Sequence, residues 1–134
     1  MRYRSRVSGP LLDRIDLHVE VPSLPQGELD GGGRGESSAV VRARVAAAHA
    51  AQLARQGVSN AQLAGGDLER FAKPDEGGRR LLRDAGARLA LSARGHHRVL
   101  RVARTLADLD GDASLRLPHV AEALQYRRAQ GANR

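Results

Sequence analysis

The residues in this sequence best suited to chemistry are its arginines. Between Arg79 and Arg104 there are eight arginines and a single acid, Asp84, so this segment alone accounts for the formal net charge of +7. Lys73 is the only lysine. A guanidinium is permanently charged, planar and fork-shaped, which suits phosphate, whether carried by a nucleotide or by a nucleic-acid backbone. Charge alone does not choose between those owners. A GC-rich coding sequence also yields Arg in place of Lys with no mechanism behind it, and composition by itself favours that plainer explanation.

Spacing excludes other chemistry. His96 and His97 are adjacent, so on a helix they point about 100° apart and cannot share one metal ion; no metal site is expected. Asp108, Asp110 and Asp112 resemble the start of a calcium loop, but Gly111 is out of place and no Glu follows at the required spacing. They read as capping and solubility residues, and Asn60 and Gln62 as turn residues. The absence of cysteine removes disulfide, thiol and cysteine–zinc chemistry. There is no GxxxxGK[ST], and Lys73 is followed by Pro74, so no loop here wraps a β/γ-phosphate and holds Mg²⁺. Alone, this chain is expected neither to bind a cofactor nor to hydrolyse ATP.

The elements that must position the arginines fall into three parts. In "RIDLHVEV", Arg14 to Val21, apolar and polar residues alternate without a slip, which predicts a half-buried β-strand over Ile15–Val21. A strand must pair, yet no second run of this kind exists in the chain. "PSLPQGELDGGGRGE", Pro22 to Glu36, reads as a Pro/Gly-rich linker. Helical periodicity follows. Ser37 caps a helix that runs to about Gln56 with Val41, Val45, Ala48 and Gln52 on one stripe, and Gly57 stops it. Residues 58–74 read as a loop with one short turn near Leu68 to Phe71. A helix from Asp75 to about Leu89 buries Leu81, Leu82, Ala85 and Leu89 and is weakened by Gly77, Gly78 and Gly86.

Ser92 caps the most informative helix. Val99, Val102, Ala103, Leu106 and Leu109 form its apolar face, and Arg94, Arg98, Arg101 and Thr105 line the opposite one. A last helix begins near Pro118 and places Val120, Ala123, Leu124 and Arg127 at helical spacing. The fold class is therefore mainly α: a small helical bundle over 36–130, a linker over 23–35, and an orphan strand within 1–22. Without its sheet, that strand is expected to be mobile. At 134 residues one aliphatic core suffices. No apolar run approaches the roughly 20 residues of a membrane span and the N-terminus lacks a signal-peptide pattern, so a cytoplasmic protein is expected.

The orphan strand reads as the last strand of an α/β core that the sequence does not contain. "SGPLLDRIDLHVEVP" at Ser8 to Pro22, "GESSAVVRARVAAAHAAQLARQG" and "LSARGHHRVLRVARTLADLDG" together resemble the C-terminal part of the magnesium-chelatase-like AAA+ ATPases of the ComM/YifB type, from about Tyr3 to Arg128. The resemblance implies that Ile15–Val21 is the fifth strand of the ATPase sheet, partner of the P-loop strand, and that 36–128 is the helical lid. It implies that Arg14 of "LLDR" is an arginine finger reaching the nucleotide of a neighbouring subunit, and that Arg94 is the sensor 2 arginine acting in cis. Arg98, Arg101 and Arg104 are lesser candidates for contact with nucleic acid or another subunit. It also implies ATP and Mg²⁺ in the full-length protein, a homo-oligomeric ring such as a hexamer, the remainder of the AAA+ core as partner, and DNA remodelling in uptake and recombination. Two other functions stay open: the motor subunit of a magnesium chelatase, and an independent basic helical nucleic-acid-binding module.

Overall fold

The structure, a computed structural model, describes residues 9–29 and 35–128. The first eight residues, the middle of the expected linker and the end of the expected bundle after 128 lie outside them. Two four-residue helices, α1 (Gly9–Leu12) and α2 (Gln26–Leu29), precede a bundle of α3 (Ser38–Gln56), α4 (Gly65–Phe71), α5 (Glu76–Leu89), α6 (Ala93–Leu109) and α7 (Leu117–Arg128). The described residues are mainly helical and contain no strand.

Local chemistry explains the helix ends. Ser37, Asp75 and Ser92 each have extended backbone, and their side chains accept from the N–H of Val40, Gly78 and Gly95 respectively. Gly57 closes α3 in the left-handed region at φ 77° and donates to the Leu53 carbonyl. Between α5 and α6 the reversal is made by Ala90, also left-handed at φ 49°, where an L side chain is disfavoured by about 1–2 kcal/mol.

The bundle is built around α6, which packs on α3, α4 and α7, with α5 laid against α7. Val99, Leu100 and Ala103 of α6 meet Leu82 and Ala85 of α5 and Val120, Ala123 and Leu124 of α7 in one core. The stretch expected to be mostly loop contributes more than expected. A 3₁₀ turn over Asn60–Gln62 and α4 bury Leu63 and Leu68 completely, each contributing about 1.5–3 kcal/mol. Asp75 donates its N–H to the Leu115 carbonyl at 2.8 Å, joining the start of α5 to the α6–α7 connection.

Two helix faces differ from expectation. Of the predicted α3 stripe only Ala48 and Gln52 are buried, while Val45 is exposed, because the first half of α3 extends past the elements it packs against. Beyond Arg94, which is exposed, the cationic face of α6 is half-buried, because α3, the 3₁₀ turn and residues 13–18 partly cover it. The four residues read at helical spacing on α7, Val120, Ala123, Leu124 and Arg127, share one face and are all buried.

Ile15–Val21 forms no ladder with any described residue. The expected half-buried strand is therefore not formed here, and its apolar side chains stand in solvent, Val19 at 62% and Val21 at 86% exposure. The segment rests on the bundle through His18, whose N–H donates to the Tyr126 carbonyl at 3.1 Å.

Candidate functional site

Ser92 fixes the start of α6, and Arg94 occupies its first turn. The Gly95 N–H reaches the Ser92 hydroxyl at 3.0 Å, and a Cβ added at Gly95 would meet only ordinary contacts, so this turn needs no glycine. Arg94 is exposed, and its guanidinium has no partner among the described residues. Unfilled N–H groups and the helix dipole favour an anion at such a turn.

The other three arginines of α6 are engaged internally. Arg98 pairs with Asp16. Arg101 Nε donates to the Leu63 carbonyl at 2.8 Å, while Thr105 Oγ1 donates to the Arg101 carbonyl at 2.9 Å. Arg104, 3% exposed, donates to Asp108 Oδ1 at 3.0 Å and to the carbonyls of Ala113 and Asp112 at 3.1 and 2.7 Å. In this conformation Arg104 does not reach solvent, and the expected free stripe reduces to Arg94.

Arg14 follows α1, its N–H donating to the Leu11 carbonyl at 3.1 Å, and its exposed side chain has no partner among the described residues. Of the two acids beside it that could serve as plain surface partners, Asp13 and Asp16, Asp16 is held by Arg98. The structure thus brings the Arg14 segment to the same end of α6 that carries Arg94.

A buried polar network was not foreseen. Arg55 grips Asp108 with two nitrogens at 2.7 and 3.1 Å, and Asn60 donates to Asp108 at 2.8 Å and accepts from Arg55 at 3.0 Å. Burial pushes the Asp108 carboxyl up, but the bonds from Arg55 and Asn60 and the charges of Arg104 and Arg55 outweigh it and hold it below the usual carboxylate range. The signal available in the sequence was the i,i+4 spacing of Arg104 and Asp108 on a helix. Also unforeseen is a groove of about 630 Å³ floored by Leu82 and Leu100 and rimmed by Lys73, Arg79, Arg83 and His96. Burial, then the neighbouring His97, lowers the His96 pKa.

The family described as magnesium chelatase, subunit ChlI C-terminal, matches residues 35–127, and the one described as magnesium chelatase, subunit ChlI, matches residues 1–29. The chain belongs to the magnesium chelatase ChlI family. Among relatives, competence protein ComM of Haemophilus influenzae is 48% identical over 128 residues, covering 95% of this chain and 25% of that protein. The YifB proteins of Salmonella typhimurium and Escherichia coli are 42% and 41% identical over the same coverage. The chain therefore spans about a quarter of the length of the curated relatives it matches. Within this ChlI-family chain, the two family matches meet between residues 29 and 35, so Arg14 falls in one and Arg94 in the other. No helix of the described residues is long and apolar enough to cross a membrane.

Proposed function

We propose that this chain is the arginine-finger and lid portion of a magnesium-chelatase-like AAA+ ATPase of the ComM type, whose full-length form couples ATP hydrolysis in a homo-oligomeric ring to DNA remodelling. Arg14 is the finger, acting on nucleotide held by the neighbouring subunit, and Arg94 reads the γ-phosphate on its own subunit. One observation carries this reading: of the four arginines of α6, Arg94 alone has no partner among the described residues, and it lies where a helix favours an anion. Arg14 is likewise exposed and unpaired among those residues. A guanidinium placed where charge develops on a transferring phosphoryl group accelerates the reaction about 10³–10⁵-fold.

The residues present fit the phosphate end of ATP and not Mg²⁺. No Ser or Thr follows the single lysine, and among the described residues no three His, Asp or Glu side chains converge. Those parts belong to the core that the longer relatives have room for. DNA as the remodelled substrate is supported by the competence name of the Haemophilus influenzae relative. A magnesium-chelatase motor is the second reading, supported by the description of the family itself.

The test is Arg14→Ala in the full-length protein. Turnover of ATP is expected to be lost while nucleotide binding persists, because the residue serves a neighbour's transition state and not its own ground state. Unchanged turnover would make Arg14 an ordinary surface residue.

A further inference from the structure

Arg98 follows Arg94 by four residues, about 6 Å along the axis of α6 and on the same face. Its guanidinium holds the carboxylate of Asp16, which follows Arg14 by only two residues. Beside this pair lies Arg127 of α7, 5% exposed, whose Nε and one terminal nitrogen have no acceptor; Arg98 Nε has none either. Burial and the charge of Arg98 push the Arg127 guanidinium below its ordinary pKa, while Asp13 and Asp16 pull it back up. The junction of α6 and α7 therefore carries two cations in one another's field, and the acids that answer them both come from the segment bearing Arg14.

The main chain adds a second attachment, from the His18 N–H to the Tyr126 carbonyl next to Arg127. Residues 13–18 are thus fixed to the bundle at two points, one ionic and one through the backbone. The ionic point joins the segment bearing Arg14 to the helix that carries Arg94 in its first turn, and the path between the two arginines is short: two residues, at most about 7 Å, then one helical turn. A contact of this kind has two well-separated states. Seated, Asp16 accepts from one terminal nitrogen of Arg98 and its charge offsets that of Arg127; withdrawn, it leaves the half-buried Arg98 without its carboxylate and the two guanidinium groups facing one another.

We propose that Asp16, Arg98 and Arg127 form a clasp that ties the placement of Arg14 to that of Arg94, so that the lid's response to nucleotide on one subunit sets the reach of the finger offered to the next. This rests on the finger and sensor reading above and names the residues that would couple the two. They are positioning residues, with no contact to the reacting atoms. The chemistry also explains why a surface aspartate would matter: Asp16 is the one acid here seated directly on Arg98.

The test uses the full-length protein and four variants: Asp16→Asn, Arg98→Asp, the exchange of both charges (Asp16→Arg with Arg98→Asp), and Arg14→Ala as reference. Hydrolysis is measured against ATP concentration, with nucleotide affinity measured separately and thermal melts confirming folding. The clasp requires cooperative hydrolysis in the wild type. The Hill coefficient should fall to about 1 in Asp16→Asn and in Arg98→Asp, with affinity for ATP unchanged in Asp16→Asn, and the exchange should restore cooperativity, which a merely structural defect would not do. Arg14→Ala should abolish turnover. Retained cooperativity in Asp16→Asn, or a non-cooperative wild type, overturns the clasp while leaving the finger reading intact if Arg14→Ala is inactive. If Arg14→Ala turns over normally, both fall together. Asp16 is exposed, so Asn there is compatible with folding; in the 134-residue chain itself, that variant should speed amide exchange at His18, and unchanged exchange would also count against the clasp.

Discussion

Asp108 lies between two guanidinium groups, and its energetics follow from that placement. With Arg104 and Arg55 both bonded to it inside the bundle, removing the carboxylate leaves buried positive charge uncompensated, so Asp108→Ala is expected to destabilise the chain by about 3–5 kcal/mol in urea unfolding. Replacing Asp108 and Arg104 together with Leu and Met should cost less, because the fully buried pair is removed together and the charge left behind, Arg55, is partly exposed to water. The folded-state pKa of Asp108 is depressed, so its contribution is whole above the unfolded value of about 3.9 and is lost as pH falls through the folded value. Stability measured from pH 6 down should therefore decline below about pH 4, and Asp108→Asn should flatten that acid limb; an equally steep limb would mean other carboxylates carry it. The sequence showed which residues share a helix face, but not what packs on that face. Asp108, read as a solubility residue, is interior, whereas Asp112 does cap a turn, accepting from the Ser114 N–H at 3.0 Å. Arg94 was legible because its site is the helix end, where position along the chain determines surroundings. Arg104 was not, because its surroundings are set by the connection from Asp112 to Ala113 that folds back over it.

At the scale of elements, the glycines of α5 separate packing from propensity. All three weaken the helix in a sequence-only reading. In the structure they differ: a Cβ at Gly78 would sit 2.9 Å from Pro74 Cβ and 3.1 Å from Val120 Cγ2, whereas at Gly86 it would meet nothing within 4 Å. Gly78 thus lets α5 approach α7, and Gly78→Ala should lower stability by about 1–3 kcal/mol through overpacking. Gly86→Ala should raise it by about 0.5–1 kcal/mol. Thermal melts of the two variants check this, and shifts of the same sign would contradict it. The helices capped by Ser37, Asp75 and Ser92 were legible because capping is local. α4 was not, since seven residues with two leading glycines have little propensity of their own, and burial of Leu68 is what holds them helical.

On the scale of the whole molecule, the chain has a well-filled helical bundle and an alternating segment that forms no sheet. Besides Arg94, the exposed positive charge lies on α5, where Arg79 and Arg80 pair with Glu76 at the surface and Arg83 and Arg88 are exposed. Binding of DNA by this chain alone is expected to be weak, since a ring gathers its contacts from several subunits. Fluorescence anisotropy against salt would check it; tight binding whose salt slope shrinks by about one unit for each α5 arginine removed would favour an independent nucleic-acid module. The fold class and the place of Arg94 in the first turn of α6 could be read from sequence, whereas the turn that holds Arg14 and the Asp16–Arg98 contact, joining residues 82 apart, could not. Arg14 acting on a neighbour's nucleotide is tested most directly by ATP turnover in rings mixed from two full-length subunits that are each inactive alone: Arg14→Ala, and a subunit that keeps Arg14 but cannot bind ATP. Mixing should restore turnover, because the intact Arg14 of one subunit completes the intact nucleotide site of the next; no turnover at any mixing ratio would contradict a finger acting in trans.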